Sequence, residues 1–170
     1  MRKSSLVLLG VCAVLALALV VTYVSGQHTG QDLTTARAIA KVHLMEVAVR
    51  NKDIGYIMEQ VDDGANVRIA HMRPEKLRQI LNSAFAAMHS PQADVQNVTV
   101  AHNGATVIVS GDLVVKDAGP DFNSTVGTGH LTLYFHRVNT PVLMGLLHEK
   151  HWRIFNADWS GENPNDYGSY

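Results

Sequence analysis

The sequence predicts an α+β protein: three N-terminal helices packed on a strongly bent antiparallel sheet, preceded by one transmembrane helix. Three observations carry this. Apolar residues recur at helical spacing between Ala36 and Met88. From Val95 onward, β-branched and alternating segments take over, divided by the turn signal Asn103-Gly104. Ahead of both, Leu6 to Val24 contains no charged residue. Helices first and antiparallel strands later place the helices on one face of the sheet, because each apolar stripe needs a face to be buried against.

Residues 1–4 form a short basic leader with Arg2 and Lys3, and residues 5–25 the apolar segment. A run of about 20 apolar residues is long enough to cross a bilayer as a helix. Basic residues before it, and none immediately after, put the N-terminus in the cytoplasm and the rest in the periplasm or outside the cell. The membrane is then a partner through this helix. A cleaved signal peptide is the alternative, since Val24-Ser25-Gly26 offers small residues to a peptidase; the remainder is then secreted. Cys12 is the only cysteine and sits inside the apolar run, so the exported part forms no intrachain disulfide. Residues 26–32 read as a polar linker and 33–160 as one domain, long enough to bury a core without staples. Residues 161–170 form a polar tail.

The elements follow from local pattern. Thr34 or Thr35 caps a first helix running to about Lys52, with Ala36, Ile39, Ala40, Val42, Val47 and Val49 as its stripe. Ile54, Ile57, Met58 and Val61 define a second helix, ended by Asp62-Asp63-Gly64. Ala65 to Ala70 reads as a short strand. Pro74 opens a third helix, because proline suits the first helical position. Leu77, Ile80, Leu81, Ala84, Phe85 and Met88 form its stripe to about His89, and Ser90-Pro91 closes it. Val95–Ala101 and Ala105–Lys116 form a hairpin with positive φ expected at both turn residues. Asp117 to Gly127 reads as a loop. Thr128–Val138 alternates, with Leu131, Leu133 and Phe135 on one side. The connection Thr140–Leu147 is apolar where hairpin loops are usually short and polar. It can pack within the domain, form a lid, extend the hairpin, or touch a membrane or partner. His148–Trp159 is the last strand.

Net charge is −1, which gives no field for nucleic acid. Nine histidines suggest metal, and His148-Glu149-Lys150-His151 is the place to look. Zinc-binding helices space two histidines four apart. Here they are three apart on a strand and point to opposite faces, so no metal site is expected. No phosphate loop or nucleophile motif is present, and no cofactor is expected. Asn97-Val98-Thr99 and Asn123-Ser124-Thr125 match the glycosylation pattern, the first in a strand and the second in a loop.

"VTVAHNGATVIVSG", Val98 to Gly111, resembles the hairpin of the nuclear transport factor 2-like superfamily, the cystatin-like cone fold. "HWRIFNADWS", His151 to Ser160, resembles its last strand. Together with the element order, the resemblance covers about residues 33–160 and implies a cone-shaped domain. Members include enzymes, transport adaptors and secretion scaffolds, so fold alone does not choose an activity. Resembling proteins often keep a pocket inside the cone and commonly dimerise through the sheet's convex face.

Two sets of candidate residues result. Alternation along the last strand puts Trp152, Ile154, Asn156 and Asp158 toward the helices, with Trp152 in the core. A carboxylate near apolar walls can act as a base, which makes Asp158 a candidate. His43 on the first helix, Tyr56 on the second and Arg68 on the short strand complete the candidate pocket with Trp152 and Asn156. A small apolar ligand would suit it. The opposite face carries His130, Tyr134 and His136 from one strand and His151, Arg153 and Phe155 from the next. That face suits a homodimer or another protein partner. Its histidines, once protonated, would repel one another and loosen the contact near pH 6. The combined expectation is a membrane-anchored, extracytoplasmic binding or assembly module without catalytic activity, with a small-molecule enzyme or ligand carrier as the alternative.

Overall fold

The structure, a computed structural model, describes residues 32–64, 72–119, 123–142 and 147–162. The apolar segment Leu6–Val24, the expected strand Ala65–Ala70 with Arg68, and most of the polar tail lie outside the described residues. Among the described residues no helix is long and apolar enough to cross a membrane. The chain divides into two compact units, residues 33–137 with 152–170, and residues 1–32 with 138–151. The core and site described below belong to the first. The described part of the second is Asp32 and the strand ends 138–142 and 147–151.

Helix α1 is Thr35–Arg50, with the Thr34 hydroxyl accepting from the Arg37 amide at a long 3.5 Å. It buries Ala38, Val42 and Ala48. Val42 belongs to the expected stripe, and Ile39 and Val49 are half-buried, but Ala36, Ala40 and Val47 are exposed. Where small alanines and valines lie on several faces of a helix, those faces are comparably apolar, and tertiary packing chooses among them. Asp53 caps α2, Ile54–Glu59, by accepting from the Tyr56 amide at 2.9 Å; Ile57 and Met58 are its buried residues. Helix α3, Pro74–Ala87, has its proline in the first turn as expected and buries Phe85, but leaves Ile80 41% exposed. Past its end, the Asp117 carboxylate accepts from the amides of His89 (3.0 Å) and Ser90 (2.8 Å), tying α3 to the sheet.

Four strands form one sheet in the order β1 (Pro91–Asn103), β2 (Thr106–Ala118), β3 (Asn123–Val142) and β4 (Leu147–Glu162). The β1–β2 and β2–β3 pairs are antiparallel. The strands are longer than their sequence patterns. Pro91 starts β1 rather than closing a helix, which an edge strand allows because it needs no amide donor there. Asn123, Ser124 and Thr125 pair with Ala118, Asp117 and Lys116, so the expected long loop is short and Asn123 begins a strand. The β1–β2 turn is also one residue later than expected. Asn103 pairs with Thr106, leaving Gly104 and Ala105 as the turn, with positive φ at Gly104 (+58°) alone. Glycine in the first turn position is the other common two-residue hairpin solution.

Val107, Val109, Leu133 and Phe135 point toward the helices and meet Leu33, Ala38, Val42, Met58, Val61, Ile154 and Ala157 in one core. A smaller cluster joins Ala48, Ile57 and Phe85. The sheet is irregular between Gln96 and Thr99 in β1, where Asn97 takes φ +53°, and between Val115 and Lys116 in β2. Such bulges are where sheets bend. At the far end, β3 and β4 come very close: a Cβ on Gly129 would lie 2.6 Å from the Gly161 Cα and 2.7 Å from the Trp159 ring.

Candidate functional site

The inner side of the sheet is filled by apolar side chains, with Phe135 wholly buried and Leu133 and Ile154 nearly so. Trp152 packs against this core as expected, partly exposed, with the Arg137 guanidinium 5.3 Å from its ring centre. The expected inward row continues to Ile154, which is buried in the core. Ile154 and Ala157 are both core residues although three apart. Phe155 and Ala157, of the opposite alternation, also reach the core, so both sides of β4 carry core contacts. Asn156 keeps its Oδ1 buried without a hydrogen-bond partner among the described residues.

Two of the expected pocket residues have surroundings other than those expected. His43 is not on the buried side of α1: its side chain is 59% exposed and pairs with Glu46 at 2.8 Å. This follows from the rotated stripe of α1. Tyr56 packs with Ala48, Ile57 and Phe85 in the smaller cluster. Burial, and secondarily the charge of Glu59, raises its hydroxyl pKa. Among the described residues no group of three or more His, Cys, Asp or Glu could hold a metal ion.

The outer face of the sheet is better organised. Phe155 stacks on His136, ring centres 4.8 Å apart, and meets Tyr134 edge-on at 6.2 Å. Phe155 also packs against the core, so it belongs to both layers. One step along, the Ser110 and Thr132 hydroxyls share a hydrogen bond of 3.1 Å. One step further, three strands contribute to one cluster: Asn97 Nδ2 donates to Asp112 at 2.8 Å, and His130 Nδ1 lies 3.0 Å from the other Asp112 oxygen. These contacts, that from Asn97 foremost, hold the Asp112 carboxyl below its usual range. His151 lies in the other compact unit and is partly exposed. His130 and His136 each have a carboxylate within 3.0 Å.

A second polar cluster surrounds the outer edge of β4, which sequence reasoning missed. The segment after α2 pairs with that edge in parallel: Ile154 N–H donates to Gln60 O at 2.7 Å and Asp62 N–H to Ile154 O at 2.9 Å. Asp62 then reaches His136 Nε2 at 2.8 Å, and Asp63 lies 3.6 Å from Arg153. Lys41 on α1 donates to the side chain of the buried Gln60. Asp62-Asp63-Gly64 read only as a turn, and no periodicity signals a single parallel bridge.

Three helices over a four-stranded sheet, with a hairpin-rich C-terminal half and a helix face buried on the sheet, define the nuclear transport factor 2-like, or cystatin-like, fold. Solved structures agree. A protein of unknown function from Mycobacterium tuberculosis superimposes with a TM-score of 0.59 at 12% identity, covering 79% of this chain and 80% of that one. A cystatin-like-fold protein of unknown function from Nostoc punctiforme gives 0.57 at 10% identity, covering 79% and 99%. A nuclear transport factor 2-like protein of unknown function in nutrient uptake, from Rhodospirillum rubrum, gives 0.56 at 12%, covering 78% and 99%. No family model and no curated protein matches the sequence.

Proposed function

We propose that the chain is a membrane-anchored, extracytoplasmic binding or assembly module without catalytic activity, which dimerises through the outer face of its sheet. The observation that carries this is the contrast between the two sheet faces. The inner face is given over to an apolar core that includes Phe135, Leu133 and Ile154. The outer face presents Tyr134, His136 and Phe155 as a ring cluster beside the Ser110–Thr132 hydroxyls. Aromatic surface rimmed by polar groups is the composition of protein interfaces. The anchor rests on the uncharged run Leu6–Val24. Light scattering of the full-length chain in detergent should give a dimer at pH 7.5 and at pH 5.5, and a monomer for Tyr134→Glu. A monomeric wild type at both pH values ends the dimer reading.

Asn156 favours a second reading, a ligand carrier or small-molecule enzyme of isomerase, dehydratase or hydrolase type. A buried carbonyl oxygen without a donor costs about 1–3 kcal/mol. A small ligand offering one N–H or O–H inside the cone would recover it.

A further inference from the structure

We infer that Lys41 and Arg153, brought together where the Gln60–Asp62 segment joins the edge of β4, form a receptor for the carboxylate or phosphate group of a ligand. This goes beyond the assembly role and does not depend on it. The geometry supplies the link: Lys41 donates to the Gln60 side chain, and the Gln60 carbonyl accepts from Ile154 N–H, next in the chain to Arg153.

The argument is one of donors and acceptors in unequal number. An ammonium offers three N–H groups and a guanidinium five. Among the described residues, Lys41 directs one to a neutral amide oxygen. Arg153, with a side chain only 22% exposed, has one carboxylate contact among them, to Asp63 at 3.6 Å. That is longer than the 2.7–2.9 Å typical of a charge-assisted hydrogen bond. Asp63 itself is 93% exposed, so water competes for it. The other nearby carboxylate, Asp62, is already engaged on both oxygens, by the Gly64 amide and by His136. Among the described residues, two partly buried cations therefore share a single loose carboxylate contact, the one from Asp63 to Arg153. Burial, and secondarily repulsion from Arg153, lowers the Lys41 pKa. An oxyanion entering here would take donors from both cations and displace Asp63, which acts as the resident competitor.

The test is a binding titration of the full-length chain in detergent with inorganic phosphate and, separately, acetate, at constant ionic strength set with sodium chloride. Saturable binding of at least one is expected. Lys41→Met should abolish it. Asp63→Asn, at an exposed position that leaves the fold intact, should tighten it by about two- to five-fold, the scale of a lost exposed ion pair. Response to phosphate alone assigns a phosphate ligand, and response to acetate alone a carboxylate. No saturable binding of either anion, or affinity unchanged in Asp63→Asn, overturns the site.

Discussion

Gly129 and Asn156 show how single positions carry the fold and the choice of function. Gly129 has room for no side chain, because a Cβ would meet the Gly161 Cα, the Ser160 carbonyl and the Trp159 ring within 2.7 Å. Two of those neighbours are backbone and cannot rotate away. Gly129→Ala should therefore cost about 1–3 kcal/mol, the usual effect of overpacking, read as a shift in the denaturant midpoint at unchanged slope. Asn156 works in the opposite sense. Its Oδ1 is buried with no hydrogen bond among the described residues, so the polar atom is destabilising in the unliganded protein. Replacing it by an apolar residue of similar shape removes that penalty. Asn156→Leu should raise stability by about 1 kcal/mol or more in thermal unfolding. A loss of stability would mean the carbonyl already has a donor.

Two of the tethers that hold other elements on the sheet each have their own signature. Asp117 accepts from the amides after α3, and these bonds, that from His89 foremost, hold its carboxyl below the usual range. Folding thus favours the ionised form, and the unfolded chain binds more protons in acid. The resulting stability is fully present above the unfolded pKa of about 3.9. It is lost as the pH falls through the lower folded value. Stability curves of wild type and Asp117→Asn should therefore converge below about pH 4; a constant gap down to pH 2 would contradict this. The other tether is Asp62 on His136. His136→Phe keeps a ring for Phe155 to stack on but removes the hydrogen bond. Exchange of the Asp62 amide should then quicken by about two- to ten-fold, the rate equivalent of about 0.5–1.5 kcal/mol; unchanged exchange would show that the parallel bridge holds by itself. Neither tether is legible in the sequence, for a physical reason. Periodicity reports which residues are apolar at a fixed spacing. It locates α3 through Pro74 and Phe85, and β3 through Leu133 and Phe135, where polar and apolar faces contrast sharply. It finds the buried face of α1 only in part, at Val42, because alanine and valine blur that contrast, and so it misplaces His43. It has no means of seeing Asp62 meet His136, 74 residues away.

At the scale of the whole molecule, the sheet has two unequal faces. An interior packed with Phe135, Leu133 and Ile154 keeps the fold together. An outer face with rings and hydroxyls is the surface we propose for a second copy of the chain. In a two-fold symmetric dimer, residues near the axis lie opposite their own copies. The central outer position is Thr132, paired across β2 to Ser110 and flanked by His130 and Tyr134. The chain has one cysteine, Cys12, so a Cys12→Ser background leaves it without thiols. Introducing Thr132→Cys there and oxidising the full-length protein in detergent tests the sheet-face dimer most directly. A covalent dimer that forms with Thr132→Cys, but not with the helix-side control His43→Cys, is the predicted result. Equal cross-linking at both positions, or none at Thr132→Cys, would contradict it.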